Sequence, residues 1–177
     1  MSNKVISEKN ILVFILFLAF FTRGSSLVLF MWKNNMTLSE VERSGYPLVD
    51  DSWIYYNTAK NLAEGKGYSF TTTDVPKELP EYLKPSGMPN TYFQNFYPPL
   101  YSSFLSVLYR IFGMNILVHA VSQIILGTIS CYFVYVIAKE AFSVKVGLLA
   151  CFLLAIYHPL VWWTSYIRSE NLFIPLQ

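Results

Sequence analysis

Residues 11–21 read ILVFILFLAFF, eleven apolar side chains without a break. A surface helix of a water-soluble protein keeps a polar face, and this run has none. Thr22, Arg23, Gly24, Ser25 and Ser26 interrupt it, and then 27–32 (LVLFMW) is apolar again. The stretch 11–32 therefore has the length of a membrane span, since about 20 helical residues cross a ~30 Å hydrocarbon core. A cleaved signal peptide would stop at the small residues 24–26. The apolar run resumes beyond them, which favours an uncleaved span.

Two further stretches, 116–138 and 146–167, have the same length and character, and across the three Arg23 is the sole formal charge. The whole chain agrees with this. Its 177 residues are 54% hydrophobic, 18% aromatic and only 14% charged, whereas soluble domains are about 25% charged. Disorder, collagen and coiled coil are excluded by the same figures. A net charge of +2 with no basic block leaves no support for a nucleic-acid partner. Cys131 and Cys151 cannot make a disulfide scaffold and read as small apolar packing residues. His119 and His158, also within spans, read first as hydrogen-bonded packing residues.

Residues 98–112 (PPLYSSFLSVLYRIF) are apolar but short, roughly 22 Å as a helix. Leu100, Phe104, Val107, Leu108 and Ile111 share one face; Ser102, Ser103, Ser106 and Arg110 share the other. That pattern predicts a helix in the membrane interface. Lys4 and Lys9 precede the first span, and Lys139 and Lys145 flank the short loop 139–145. Both groups lie in the cytoplasm only if 98–112 does not cross. The expected fold is an all-α membrane protein with three transmembrane helices and juxtamembrane helices in a long first extracytoplasmic loop. Its parts are a cytoplasmic tail 1–10, spans 11–32, 116–138 and 146–167, the extracytoplasmic loop 33–115, the cytoplasmic loop 139–145, and 168–177, an extracytoplasmic segment with the start of a truncated next helix. Tyr157, Trp162, Trp163 and Tyr166 mark the outer end of the third span as an aromatic belt. Arg23, costly in lipid, is expected to snorkel or to face other helices.

Within the outer loop, 52–64 reads as a helix, with Asp50, Asp51 and Ser52 at its start and Gly65 where a C-cap belongs. Pro76, Pro80, Pro85, Gly87 and Pro89 predict irregular chain after it. Two acidic positions then share the outer surface: the Asp50–Asp51 pair and Glu170. Two carboxylates on one cleft can divide the work of base and of orienter or metal ligand. Arg168, two residues from Glu170, suits a phosphate or pairs with the acid.

The run VDDSWIYYNTAKNLAEGKGYSF at 49–70 resembles the first-loop signature of the GT-C glycosyltransferases, the polytopic enzymes that use lipid-phosphate sugars. Protein mannosyltransferases (glycosyltransferase family 39) and bacterial aminoarabinose transferases are among them. The matching residues are Asp50–Asp51, Tyr55–Tyr56, Ala59–Lys60–Asn61–Leu62, Gly65, Gly67 and Tyr68. Downstream, YPPLYSSFLSVLYRIFG at 97–113 resembles the family's Pro-Pro segment, and SENLF at 169–173 its second acidic motif. The resemblance implies transfer of a sugar from a polyprenyl-phosphate carrier to an extracytoplasmic acceptor. By carry-over, Asp51 activates or orients the acceptor, Asp50 assists or helps hold a cation, and Glu170 is the second acidic residue. Arg168, Tyr55 and Tyr97 are the expected substrate-binding residues. Where some relatives carry Glu or Lys before the proline segment, this chain has Phe96, Tyr97 and Pro98. A divalent cation is thus left open, with Asp51 and Glu170 as the carboxylates that would hold it.

Relatives have around ten or more spans, so the chain reads as the amino-terminal part of a longer enzyme, inactive alone. The expected setting is a plasma or inner membrane, with the amino terminus cytoplasmic. The alternative is a non-enzymatic membrane scaffold or assembly subunit whose outer loop binds a partner. A transporter fits less well, because its ionisable site belongs near the midplane and these carboxylates are at the surface.

Overall fold

A computed structural model of the chain describes residues 7–33, 52–71, 91–93 and 97–174. The elements are α1 (Glu8–Lys33), α2 (Ser52–Ala63), β1 (Ser69–Thr71), β2 (Thr91–Phe93), α3 (Pro99–Phe112), α4 (Ile116–Ala141), α5 (Val144–Ile156), α6 (His158–Trp163) and α7 (Glu170–Phe173). They fall into two compact units. The first holds α1, α4 from Val121 onward, α5, α6 and α7; the second holds α2, the strands, α3, the first turn of α4 and residues 166–169.

In the first unit, α1 buries Ile15, Ala19, Arg23, Ser26 and Phe30. The spacing of three and four residues places them on one helical stripe. The opposite side leaves Val13, Phe14, Phe17, Phe21 and Val28 exposed, an apolar surface that water would penalise and lipid would not. Glu8 in the first turn and Lys33 in the last suit the helix dipole. The buried stripe meets Cys131, Tyr135, Cys151 and Ala155 in one cluster. Small side chains let backbones come close, and Gly147 of α5 lies against the Tyr135 carbonyl of α4. At one end of the cluster Glu8 accepts from the Tyr135 hydroxyl, and from Lys139 Nζ at 2.8 Å. Both cysteines are free and buried, as packing residues should be.

Among the described residues, two helices, Glu8–Lys33 and Leu117–Ala141, are long and apolar enough to cross a membrane. The expected third span, 146–167, is not one helix. Ser143 caps α5 by accepting from Val146 N at 3.4 Å, and the helix stops at Ile156. Tyr157 then turns extended, with φ −65° and ψ 101°. Pro159 explains the break, for it has no N–H and its ring collides with the carbonyl four residues back. The 13 residues of α5 reach about 20 Å, short of a ~30 Å core.

In the second unit, α2 packs against α3. Gly65, at φ +78°, takes the left-handed conformation that ends α2 at little cost. Arg110 of α3 caps that end, donating to the carbonyls of Leu62 at 2.8 Å and Ala63 at 3.1 Å. The residues expected to form irregular chain, Pro76 to Pro89, lie outside the described residues; those described are mostly helical, as expected, with one short strand pair. β1 and β2 form an antiparallel pair in the register Ser69↔Phe93, Phe70↔Tyr92, Thr71↔Thr91. The face of α3 that packs inward is Tyr101, Ser102, Leu105, Ser106 and Tyr109. Leu100, Val107, Ile111 and Phe112 are exposed. The serines opposite the apolar face are small enough to form the tight contact, and the apolar residues Leu100, Val107 and Ile111 are left outward.

Candidate functional site

Asp50 and Asp51 lie outside the described residues. The description starts one peptide bond later, at Ser52, and what Ser52 does is informative. Its hydroxyl, buried, donates to the Ile167 carbonyl at 3.1 Å. One turn on, the Tyr55 hydroxyl donates to Ser169 Oγ at 3.3 Å. Helix α2 is therefore stitched at two points to 166–169, the segment that leads into the SENLF motif. Ser52 follows Asp51 directly and Ser169 precedes Glu170 directly.

A third stitch comes from α4. His119 is fully buried, and its Nε2 lies 3.2 Å from the Tyr166 carbonyl. A carbonyl only accepts, so Nε2 carries the proton. Nδ1 is then the acceptor, facing the Tyr101 hydroxyl at 3.5 Å. The chain Tyr101 to His119 to Tyr166 thus ties α3 and the first turn of α4 to the same short segment. This is the packing role expected of His119, with defined partners.

Tyrosines fill the space between α2 and α3. The Tyr55 ring packs edge-on against Tyr101, with centroids 5.0 Å apart, and against Tyr97 at 5.4 Å. Tyr56 meets Tyr109 in the same manner at 6.1 Å. Such edge-to-face pairs stabilise beyond the area they bury. The Tyr68 hydroxyl donates to the Tyr97 carbonyl at 3.0 Å. Burial pushes the Tyr68 phenol above its ordinary range, with the Ser102 hydroxyl working the other way. Burial raises Tyr109 further.

Of the expected substrate residues, Tyr55 is 6% exposed and acts through its hydroxyl. Tyr97 and Arg168 are half-buried. Glu170 opens the four-residue α7 and is also half-buried. Among the described residues, no group of three or more His, Cys, Asp or Glu side chains gathers as a metal site. Sequence reading missed Ser52, Tyr101 and Ser169 as tethers. The signal for Ser52 was visible but read locally, as a cap of its own helix.

Residues 97–176 match the family model described as dolichyl-phosphate-mannose-protein mannosyltransferase. No curated protein sequence and no solved structure matches the chain. The matched stretch starts at the Pro-Pro segment and takes in α3 through the SENLF motif, two of the three motifs on which the resemblance rests. Over residues 97–176 the chain is therefore similar to the dolichyl-phosphate-mannose-protein mannosyltransferases.

Proposed function

We propose that this chain carries acidic motifs of a membrane glycosyltransferase that moves a sugar from a polyprenyl phosphate to an acceptor on the extracytoplasmic face. The supporting observation is the double stitch Ser52–Ile167 and Tyr55–Ser169. It bonds Ser52, the sequence neighbour of Asp51, and Tyr55 to 167 and 169, the latter the sequence neighbour of Glu170, which supports this reading. A purely structural loop has no need to hold the flanks of two acidic motifs in register.

Asp51 takes the proton of the acceptor hydroxyl as its oxygen attacks the anomeric carbon, and Asp50 assists. The anomeric C–O bond to the phosphate breaks, and the polyprenyl phosphate departs as an anion. Arg168 supplies positive charge to it, where a fixed cation counts most. Glu170 orients the acceptor. Tyr97 borders the substrate, and Tyr55 holds Ser169 and so Glu170. The α5–α6 stretch crosses the membrane as a broken third span, and the exposed apolar face of α3 rests in the outer interface.

The test is transfer of radiolabelled sugar from a polyprenyl phosphate by the full gene product in membranes. A positioned base contributes about 10²–10⁴-fold, so Asp51→Asn should fall by that order while Asp74→Asn stays at wild-type rate. Unchanged turnover in Asp51→Asn refutes the assignment and favours a scaffold. Orientation is tested separately. A cysteine at Ser143 should be shielded from an impermeant thiol reagent in intact cells, and one at Ser86 should react.

A further inference from the structure

The break in the third apolar stretch leaves a specific atom in need. In an uninterrupted helix the Ala155 carbonyl would accept from the N–H of residue 159, and Pro159 has none. Two side chains of α1 reach that carbonyl instead. Thr22 Oγ1 lies 3.0 Å from it and Arg23 Nη1 lies 3.5 Å from it. Both groups also contact the Ala19 carbonyl, at 3.1 Å each. Arg23 is 1% exposed, and its place is prepared. A Cβ on Gly127 would lie 2.4 Å from Arg23 Nε, so a glycine there makes room for the guanidinium. Ala19, Cys131, Cys151 and Ala155, all fully buried and small, pack together in the same unit. The helix end that Arg23 meets is a C-terminus, where the dipole favours a cation. In lipid, a freed backbone group needs such a partner because no water reaches it.

We infer that Thr22 and Arg23 form a cap, supplied in trans by α1, that replaces the N–H missing at Pro159 and holds α5 broken at Tyr157. The buried arginine is then neither a snorkelling charge nor a ligand. It is a positioning residue that fixes where the chain leaves α5 on its way to the second acidic motif. Its bearing on catalysis rests on the glycosyltransferase reading; the cap itself does not.

The experiment is a rescue cycle, read as melting temperature of the full chain in detergent. Thr22→Val keeps the shape and removes the hydroxyl; Thr22→Ser keeps the hydroxyl. Thr22→Val should melt about 2–4 °C lower and Thr22→Ser within about 1 °C of wild type. In a Pro159→Ala background, residue 159 supplies its own N–H, and the loss from Thr22→Val should shrink by at least half. Arg23→Met follows the same logic with a larger loss, and Thr22 serves if that variant does not fold. An equal loss in both backgrounds overturns the proposal, since a packing role would not respond to residue 159. So does a Thr22→Ser that melts as low as Thr22→Val. A failure of the catalytic reading shows in Asp51→Asn turnover and leaves these temperatures untouched.

Discussion

Gly147→Ala measures how closely α4 and α5 approach. A Cβ at Gly147 would lie 2.8 Å from the Tyr135 carbonyl oxygen and 3.1 Å from Lys139 N and Cβ. Ordinary contact begins at 3.4 Å, so a backbone oxygen would have to withdraw by roughly 0.6 Å, the gap between 2.8 and 3.4 Å. Neither helix can yield locally, and overpacking of this kind costs about 1–3 kcal/mol. Alanine also returns about 1 kcal/mol of helix propensity, which blurs a single measurement. Gly24→Ala separates the two effects. Gly24 is likewise helical, but nothing lies within 4 Å of its would-be Cβ. It should gain the propensity alone, and the difference between the variants is the steric cost. For a chain of this size that is a gap of about 2–12 °C in thermal unfolding followed by circular dichroism in detergent. Gly147→Ala melting at or above Gly24→Ala would refute the close approach.

Other perturbations address the second unit. The Tyr109 hydroxyl is buried with no hydrogen-bond partner among the described residues, so Tyr109→Phe should raise stability by about 1 kcal/mol in chemical denaturation. Tyr68 and Tyr109 have folded pKa values above the unfolded value of about 10. The folded state therefore keeps protons that the unfolded state loses, and stability is full below about pH 10 and falls as pH rises past it. Melting curves from pH 8 to 11 should show this fall, shallower in Tyr109→Phe; equal slopes would contradict it. Tyr55→Phe removes the bond to Ser169, worth about 0.5–1.5 kcal/mol, and should lower transfer by up to about tenfold with acceptor KM little changed. Arg110→Met uncaps α2 and should speed amide exchange at the helix end near Leu62, while exchange in α4 stays as it was.

The apolar stretches were legible because a bilayer imposes a strong, local rule on composition. Helix α2 was legible for a similar reason, with Gly65 marking its end. The break at Pro159 was not read, although the proline was in view, because a run judged by its average hydropathy passes over one imino acid. The strands β1 and β2, three residues each, are too short for an alternating pattern to show. The amphipathic pattern of α3 was legible, but that its serine side forms the packed face was not, since small size, which close packing selects, looks the same in a sequence as polarity. As for the site, Tyr55, Tyr97, Arg168 and Glu170 were named from the sequence, and the structure adds the bond from the Tyr55 hydroxyl to Ser169. The tethers at Ser52 and His119 were hidden for a plain reason. Their partners are backbone carbonyls of 166–167, and a carbonyl leaves no mark in a sequence.

The stitch between Ser52 and Ile167 also has a temporal side. Its two residues are 115 apart, and a ribosome adding about 5–20 residues per second needs roughly 6–23 s to span them. Helix α2 thus emerges long before its hydrogen-bond acceptor exists. In the interval α3, α4 and α5 are all made, and the apolar α4 must find its place before Ile167 can be presented to Ser52. A chain whose later helices insert wrongly never closes the stitch. Ser52 and Tyr55 are then bonded to 167 and 169 only in molecules whose biogenesis succeeded, so the two hydrogen bonds act as a check on assembly as well as a brace for that segment.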